Sequence, residues 1–248
     1  MRTTGRLSAL AVIGLLVFAG VAYAATVTGT AGPDTLAGTP GADAISGLGG
    51  DDTIFGLTGN DNIEAGSGDD TASGDGLLTC PPGATKISYC SFNPNGGTGN
   101  DRISGGTGND RLNGQAGNDR LSGASGSDRL TGSSGRDSLS GGSGRDSLSG
   151  GTSPDRLTGG GGRDSLTGSS GSDRLSGSSG NDRLNGGSGN DRLNGGGGRD
   201  SISGSSGRDT ISARDRSRDR INCGSGRDRV TADRIDRVSR NCERVSRR

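Results

Sequence analysis

The chain has no His and no Trp, a single Met, four Cys, and aromatic residues at only 2% of its 248 positions. Each shortage excludes something. Without imidazole there is no Ser-His-Asp or Cys-His nucleophile arrangement and no zinc site that relies on His. So few aromatics leave little for nucleic-acid bases to stack on, so nucleic-acid recognition is not expected. Hydrophobic residues reach only 25%, too few for an ordinary packed globular domain. In their place stand 53 Gly, 35 Ser and 6 Pro. Without a repeat period such a composition would mean a disordered chain.

The one long apolar stretch is at the N-terminus. Arg2 and Arg6 precede an apolar run from Leu7 through Val21, followed by Ala22-Tyr23-Ala24, a small-x-small cleavage site. Residues 1–24 therefore read as a secretory signal peptide. The competing reading is a membrane anchor, but the run is broken by Ser8 and short for a span. No Cys lies near the cut, and nothing downstream is apolar enough to cross a bilayer. The expected location is secreted, either extracellular or at the cell surface, with no transmembrane segment after cleavage.

Charge is zoned along the chain. From Ala25 to Gly76 there are nine acids and no base; from Asp101 to Asp209, thirteen Asp and thirteen Arg; from Thr210 to Arg248, twelve Arg and six acids.

A period of nine residues organises everything after the leader. Asp recurs at Asp34, Asp43, Asp52, Asp61 and Asp70, and again at Asp101, Asp110, Asp119, Asp128, Asp137, Asp146, Asp155, Asp164, Asp173, Asp182, Asp191, Asp200 and Asp209. Aligned on that Asp, the unit is G-x-x-G-x-D-x-U-x: a Gly five before (Gly96, Gly105, Gly114), a Gly two before (Gly99, Gly108, Gly117) and an aliphatic residue two after (Ile103, Leu112, Leu121). An altered unit surrounds Asp228, with Cys223 in the first Gly position and Val230 in the aliphatic one. Each unit combines a Gly-dependent turn with a three-residue segment whose single apolar side chain faces one way, which predicts turn, short strand, turn, short strand. Stacked units make an all-β solenoid in which strands pair with the coils above and below and the Leu/Ile column is the core.

The runs Gly96-Gly97-Thr98-Gly99-Asn100-Asp101-Arg102-Ile103-Ser104 and Gly105-Gly106-Thr107-Gly108-Asn109-Asp110-Arg111-Leu112-Asn113 resemble the G-G-x-G-x-D-x-U-x nonapeptide of RTX, or haemolysin-type, calcium-binding repeats. The resemblance covers most of the chain after the leader. It implies a right-handed parallel β-roll with two nonapeptides per coil. It also implies multiple calcium ions between the turns of successive coils, held by the repeat Asp carboxylates and turn carbonyls. The implied metal ligands are all the Asp just named except Asp155, where Ser153-Pro154 replaces Gly-x and a distorted or empty site is expected.

The physics of the unit suits calcium independently. Calcium takes six to eight oxygens in flexible geometry, and a Gly-rich turn offers carbonyls while Asp offers charge. One buried aliphatic side chain per unit is small against the entropy of ordering nine residues. A bound ion is then the missing stabilising contribution, and a disordered metal-free chain is expected.

The alternative is a solenoid that folds without metal, its Asp capping turns. One feature favours it: every unit from Asp101 to Asp209 places an Arg directly beside its Asp, after it as in Arg102 and Arg156 or before it as in Arg136 and Arg208. Filling sites in that neutral block would build up positive charge, whereas the acidic block at Asp34 to Asp70 stays negative. Calcium is therefore expected to bind more tightly per site in the N-terminal block. The second Gly is replaced there by Thr30, Thr39, Leu48 and Leu57, and in the middle units by Gln115, Ala124, Ser133, Ser169, Ser178 and Ser205, so altered turn geometry is expected at those units.

Two interruptions complete the plan. The distance from Asp70 to Asp101 is three repeat lengths plus four, which places a register break at Leu77 to Asn95. This insert carries Cys80 and Cys90, expected to be a disulfide closing a surface loop; a ligand-binding protrusion is the other reading. Beyond Asp209 the spacing slips by one to Asp219 and then Asp228. The tail is most simply a cap stapled by Cys223–Cys242, or else a basic contact for an anionic cell-surface polymer. The organisation is thus 1–24 leader, 25–76 acidic repeats, 77–95 insert, 96–212 main roll and 213–248 basic cap.

The function this supports is a secreted, non-catalytic calcium-binding β-roll acting as a structural or cell-surface interaction module. No residue set stands apart from the repeat as a catalytic centre would. The alternative is a metal-independent solenoid binding ice, glycan or anionic surface polymers through its Ser, Thr and Asn columns such as Ser104, Asn113, Ser122 and Thr131.

Overall fold

The computed structural model describes residues 24–75, 77–79, 91–93 and 99–247, and every regular element among them is a β-strand. The first six are β1 (Thr26–Thr28), β2 (Thr35–Ala37), β3 (Ala44–Ser46), β4 (Thr53–Leu57), β5 (Asn62–Ser67) and β6 (Thr71–Asp75). A short hairpin follows, β7 (Leu77–Thr79) with β8 (Ser91–Asn93). The regular middle runs β9 (Arg102–Thr107), β10 (Arg111–Ala116), β11 (Arg120–Ser125), β12 (Arg129–Ser134), β13 (Ser138–Gly144), β14 (Ser147–Thr152), β15 (Arg156–Gly162), β16 (Ser165–Ser170), β17 (Arg174–Gly180), β18 (Arg183–Ser188), β19 (Arg192–Gly197) and β20 (Ser201–Ser206). The end comprises β21 (Thr210–Ala213), β22 (Arg220–Asn222), β23 (Arg229–Ala232), β24 (Arg237–Val238) and β25 (Arg244–Arg247).

Successive strands alternate between two parallel sheets. One has twelve strands, β1-β3-β5-β9 through the odd-numbered strands to β25; the other has eleven, β2-β4-β6-β10 through the even-numbered strands to β24. Two nonapeptides therefore make one coil of a parallel β-solenoid, a β-roll. Leu121 pairs with Leu139, which pairs with Leu157, each step spanning two nonapeptides. These side chains and their counterparts from Val27 to Val230 are at most 2% exposed and form one continuous core between the sheets.

Strands in the middle of the roll are six or seven residues long, not the three the unit suggests, because pairing continues past the aliphatic residue into the next unit's two Gly positions. The column two before the Asp is almost purely Gly for a steric reason. Gly117 has φ 137°, its N–H donates to the Ser134 carbonyl, and a Cβ there would run into the carbonyl oxygen of Gly99 in the preceding coil.

The register corrects the reading of the interruption. Ile63 pairs with Ile103 and Ala72 with Leu112, far more widely separated in sequence than the two nonapeptides that divide partners elsewhere in the roll. From Asp70 to Asp101 is thus a single repeat step carrying one long insertion, not three steps and four. Both sheets continue across the insertion. The Cys80–Cys90 pairing and the leader lie outside the described residues. The tail extends the roll with coils of altered length: Ser201 pairs with Arg220, Arg220 with Arg237, and Arg229 with Arg244. Cys223 and Cys242 form a disulfide across this end, with Cα atoms 5.2 Å apart.

Candidate functional site

The repeat Asp residues stand where each turn becomes a strand, and the stacking arranges them in two ladders, one along each edge of the roll. In one ladder the N–H of Asp110 donates to Oδ1 of Asp128 at 2.9 Å, and Asp128 donates likewise to Asp146 at 2.9 Å. In the other, Asp119 donates to Asp137 at 2.9 Å and Asp137 to Asp155 at 2.8 Å. The Asp carbonyls are used too, since Arg129 N–H donates to the Asp110 carbonyl. The structure therefore brings all the predicted Asp into one repeated geometry, buried to between 0% and 6% exposure.

Along the middle of the roll only one of the two carboxylate oxygens is provided for. Oδ2 of Asp110, Asp128, Asp146, Asp155, Asp173 and Asp191, among others, is buried with no hydrogen-bond donor. It lies over the Gly five residues earlier, where a Cβ would collide with it: Gly123 under Asp128, Gly141 under Asp146. That is why the first Gly of the unit is Gly. Burial of a charge in this setting raises the carboxyl pKa above the ordinary Asp range near 4. Desolvation pushes Asp110, Asp137, Asp146, Asp182, Asp191 and Asp209 up to about 6, and Asp155 and Asp219 to about 7. The ladder N–H lowers each in part, and carboxylates in adjoining coils raise it again.

These donors suit a hard cation in kind. The position a Cβ would fill at Gly123 lies beside both Oδ2 of Asp128 and the carbonyl oxygen of Gly141 in the next coil, so a carboxylate and a main-chain oxygen converge there. Among the described residues no three acidic, Cys or His side chains come together. A calcium ion here would therefore draw most of its six to eight oxygens from main-chain carbonyls, each Asp supplying charge through Oδ2.

Asp155, set apart in the sequence by Ser153-Pro154, nevertheless holds its place in the ladder. It is 2% exposed, accepts from Asp137 and donates to Asp173 at 2.8 Å, because Pro154 removes an N–H the ladder does not use while Ser153 adopts φ 78° in place of Gly. The ladders also run beyond Asp209: Asp200 donates to Asp219, Asp209 to Asp228, Asp219 to Asp236, and Asp228 to the Glu243 carboxylate. The slip of one residue at Asp219 is the available signal, visible only once coil length is allowed to vary.

Two further expectations change. The Arg beside each Asp does not balance it locally, for all thirteen Arg from Arg102 to Arg208 are exposed, and the Oδ2 atoms just named receive no guanidinium donor. Except at Thr30 and Thr39, which do not have positive φ, loss of the second Gly does not change the turn either. Leu48, Leu57, Gln115, Ala124, Ser133, Ser169, Ser178 and Ser205 all keep φ between 74° and 83°, at the usual steric cost of a side chain in that region.

At the first two Asp it is Oδ2 that has donors, and of the two only Asp43 has both oxygens met, for Oδ1 of Asp34 is buried without a donor. Thr30 N–H and its hydroxyl both donate to Oδ2 of Asp34, and Thr39 N–H and hydroxyl donate to Asp43. Ala25, in the Asp position of a unit before the first Asp, donates its N–H to Oδ1 of Asp43.

No curated protein matches the chain. The model of the RTX calcium-binding nonapeptide repeat, in four copies, matches residues 20–54, 28–63, 46–76, 95–130, 122–157, 149–184 and 176–211, well over half of the sequence. With the stacked G-x-x-G-x-D-x-U-x coils and their Asp ladders in view, the chain belongs to the family of RTX calcium-binding nonapeptide repeats.

Proposed function

We propose that the chain is a secreted, non-catalytic β-roll whose coils are held in register by several calcium ions, and that it serves as a structural or cell-surface interaction module. The observation that carries this reading is the file of buried Oδ2 atoms without donors. A buried carboxylate oxygen left unsatisfied costs about 1–3 kcal/mol, and the same defect recurs coil after coil, so a ligand that removes it acts on the whole roll. A divalent cation is the ligand whose chemistry answers a row of buried carboxylates flanked by carbonyls. Family membership supports calcium as that cation. Export is supported by the leader pattern and by the first strand starting at Thr26, just past the Ala22-Tyr23-Ala24 signal. The lack of catalysis is supported by the middle ladders, in which the same Asp–Asp hydrogen bond and the same open Oδ2 recur from coil to coil and no pair of acids is set apart as acid and base.

The test is far-UV circular dichroism of the oxidised chain, stripped with EDTA and titrated with calcium, with magnesium as control. A coil-to-β transition specific to calcium is expected, with more than one ion bound per chain by calorimetry. A full β spectrum in EDTA that calcium leaves unchanged overturns the reading in favour of a solenoid that folds without metal.

A further inference from the structure

The block from Asp101 to Asp209 is neutral on paper, but its charges are sorted by depth. Its acids are thirteen Asp, all repeat positions and all buried; its bases are thirteen Arg, all exposed. Its surface is therefore cationic with no exposed acid to offset it.

The two sheets do not share this charge equally. On the twelve-stranded sheet the outward column just after the Asp reads Arg102, Arg120, Ser138, Arg156, Arg174, Arg192. On the other sheet the matching column is broken up, as Arg111, Arg129, Ser147, Ser165, Arg183, Ser201. Arg156, Arg174 and Arg192 lie in direct register on adjoining strands, about 4.7–4.9 Å apart. Like charges so placed are destabilising, and nothing in the fold requires them, since Ser138 occupies the same column. Two columns away runs a parallel file of hydrogen-bonding side chains. Between the files the sheet is furrowed: Arg156, Arg174 and Arg192 face Thr158, Ser176 and Asn194 across a hollow of about 300 Å³. A second hollow of about 310 Å³ continues the line on the same sheet, lined by Arg102, Arg120, Ser104 and Ser122, and ends at Glu64.

We propose that this furrow binds a linear acidic polysaccharide lengthwise. Guanidiniums repeating at strand spacing meet carboxylates or sulfates repeating along the polymer, with bidentate geometry that Arg is suited to. The facing hydroxyls and amides serve the sugar hydroxyls. A furrow without aromatic side chains offers no platform for bases, which sets nucleic acid aside. The Arg-rich tail is the poorer surface, because Glu243 is exposed among its Arg and Asp233 is half-buried there. This site is separate from the Asp ladders and holds whether calcium or the chain alone keeps the coils together.

The test is native-gel retardation of the full oxidised chain in calcium through carboxymethyl cellulose, with neutral hydroxyethyl cellulose as control. Circular dichroism on the same samples reports the fold. Carboxymethyl cellulose should retard the chain and hydroxyethyl cellulose should not. Arg156→Ser, Arg174→Ser and Arg192→Ser together should weaken binding at least tenfold. The charge-matched turn triple Arg163→Ser, Arg199→Ser and Arg208→Ser should weaken it less than threefold. Equal losses in the two triples would reduce the effect to net charge and overturn the proposal. So would a β-folded chain that carboxymethyl cellulose does not retard, a result that leaves the calcium reading standing. Binding of a single-stranded oligonucleotide as tight as that of the polysaccharide, and lost in the same sheet triple, would replace the proposed occupant. A chain folded in EDTA overturns the calcium reading alone, and the same gels are then run without metal.

Discussion

The first coil and the middle of the roll solve the same problem in different ways. At Asp34 and Asp43 the residue four places earlier is Thr, whose N–H and hydroxyl both reach the carboxylate. At Asp128 and Asp146 that residue is Ala124 or Gly142 with positive φ, and Oδ2 is left without a donor. The N-terminal coil thus supplies donors to Oδ2 from within the chain, while the middle leaves that oxygen to be met by a cation or a proton. The acidic character of the N-terminal block argues for tighter calcium there. The donors at Oδ2 of Asp34 and Asp43 restrict that argument, for this oxygen, to the later Asp of the block, of which Asp52 and Asp70 have the open arrangement; Asp34 is open at Oδ1 instead.

The largest effect expected from this contrast is on pH. Burial holds Asp137 and Asp146 at about 6 and Asp155 at about 7 in the folded chain, against about 4 in an unfolded one. Between those values the folded state carries more protons, so its stability falls as pH rises. The contribution is complete below about pH 4 and gone once pH passes about 7, summed over every open Asp. In EDTA the β signal in circular dichroism should therefore be larger at pH 5 than at pH 8, and saturating calcium should remove or invert the difference. A β signal that rises with pH in EDTA would mean that the middle carboxylates find donors as Asp43 does, and the contrast would be lost.

A second effect is opposite in sign at the two places. Asp146→Asn keeps an oxygen for the Asp128 N–H and puts an NH2 donor where Oδ2 and the Gly159 carbonyl both border the position a Cβ would take at Gly141. In EDTA at neutral pH it should shift the coil–roll balance toward the roll by about 1–2 kcal/mol, seen as a larger β signal, and in calcium it should reduce the number of ions bound. Asp43→Asn cannot accept from the Ala25 and Thr39 N–H groups and the Thr39 hydroxyl as a carboxylate does. It should cost about 1–3 kcal/mol and leave the ion count unchanged. Circular dichroism in EDTA checks the first, urea titration in calcium the second and calorimetric stoichiometry both, and the same sign at both positions would refute the distinction.

Much of this architecture is legible in the spacing alone. A strict period of nine with one aliphatic residue per unit dictates stacked coils, and membership of the Leu and Asp columns follows residue by residue. What is not legible depends on backbone direction. Whether an N–H points at an Asp oxygen is decided by φ four residues earlier, so Thr39 and Leu48, both lost glycines in the sequence, have opposite consequences. The insertion before Asp101 escapes the spacing because the distance from Asp70 divides into nines in more than one way, and only the pairing of Ile63 with Ile103 chooses between them. Arg and Asp adjacent in sequence suggest neutralisation, but the strand places one outside and the other inside.

The smallest effect isolates that backbone difference, since one substitution at equivalent repeat positions should act in opposite directions. Ala124 holds φ 79°, so Ala124→Gly relieves the steric cost of that region while adding some unfolded-state entropy, for a net gain of about 0.5–1 kcal/mol. Thr39 does not have positive φ, and its hydroxyl is bound to Asp43. Thr39→Gly removes that donor and adds backbone freedom, for a loss of about 1–2 kcal/mol. Urea midpoints in calcium resolve both values. A loss at Ala124 would show that the turn there is held by something other than its own conformation, and a gain at Thr39 would show that the hydroxyl does not satisfy Asp43. Either result would bring the two regions back to a single type of unit.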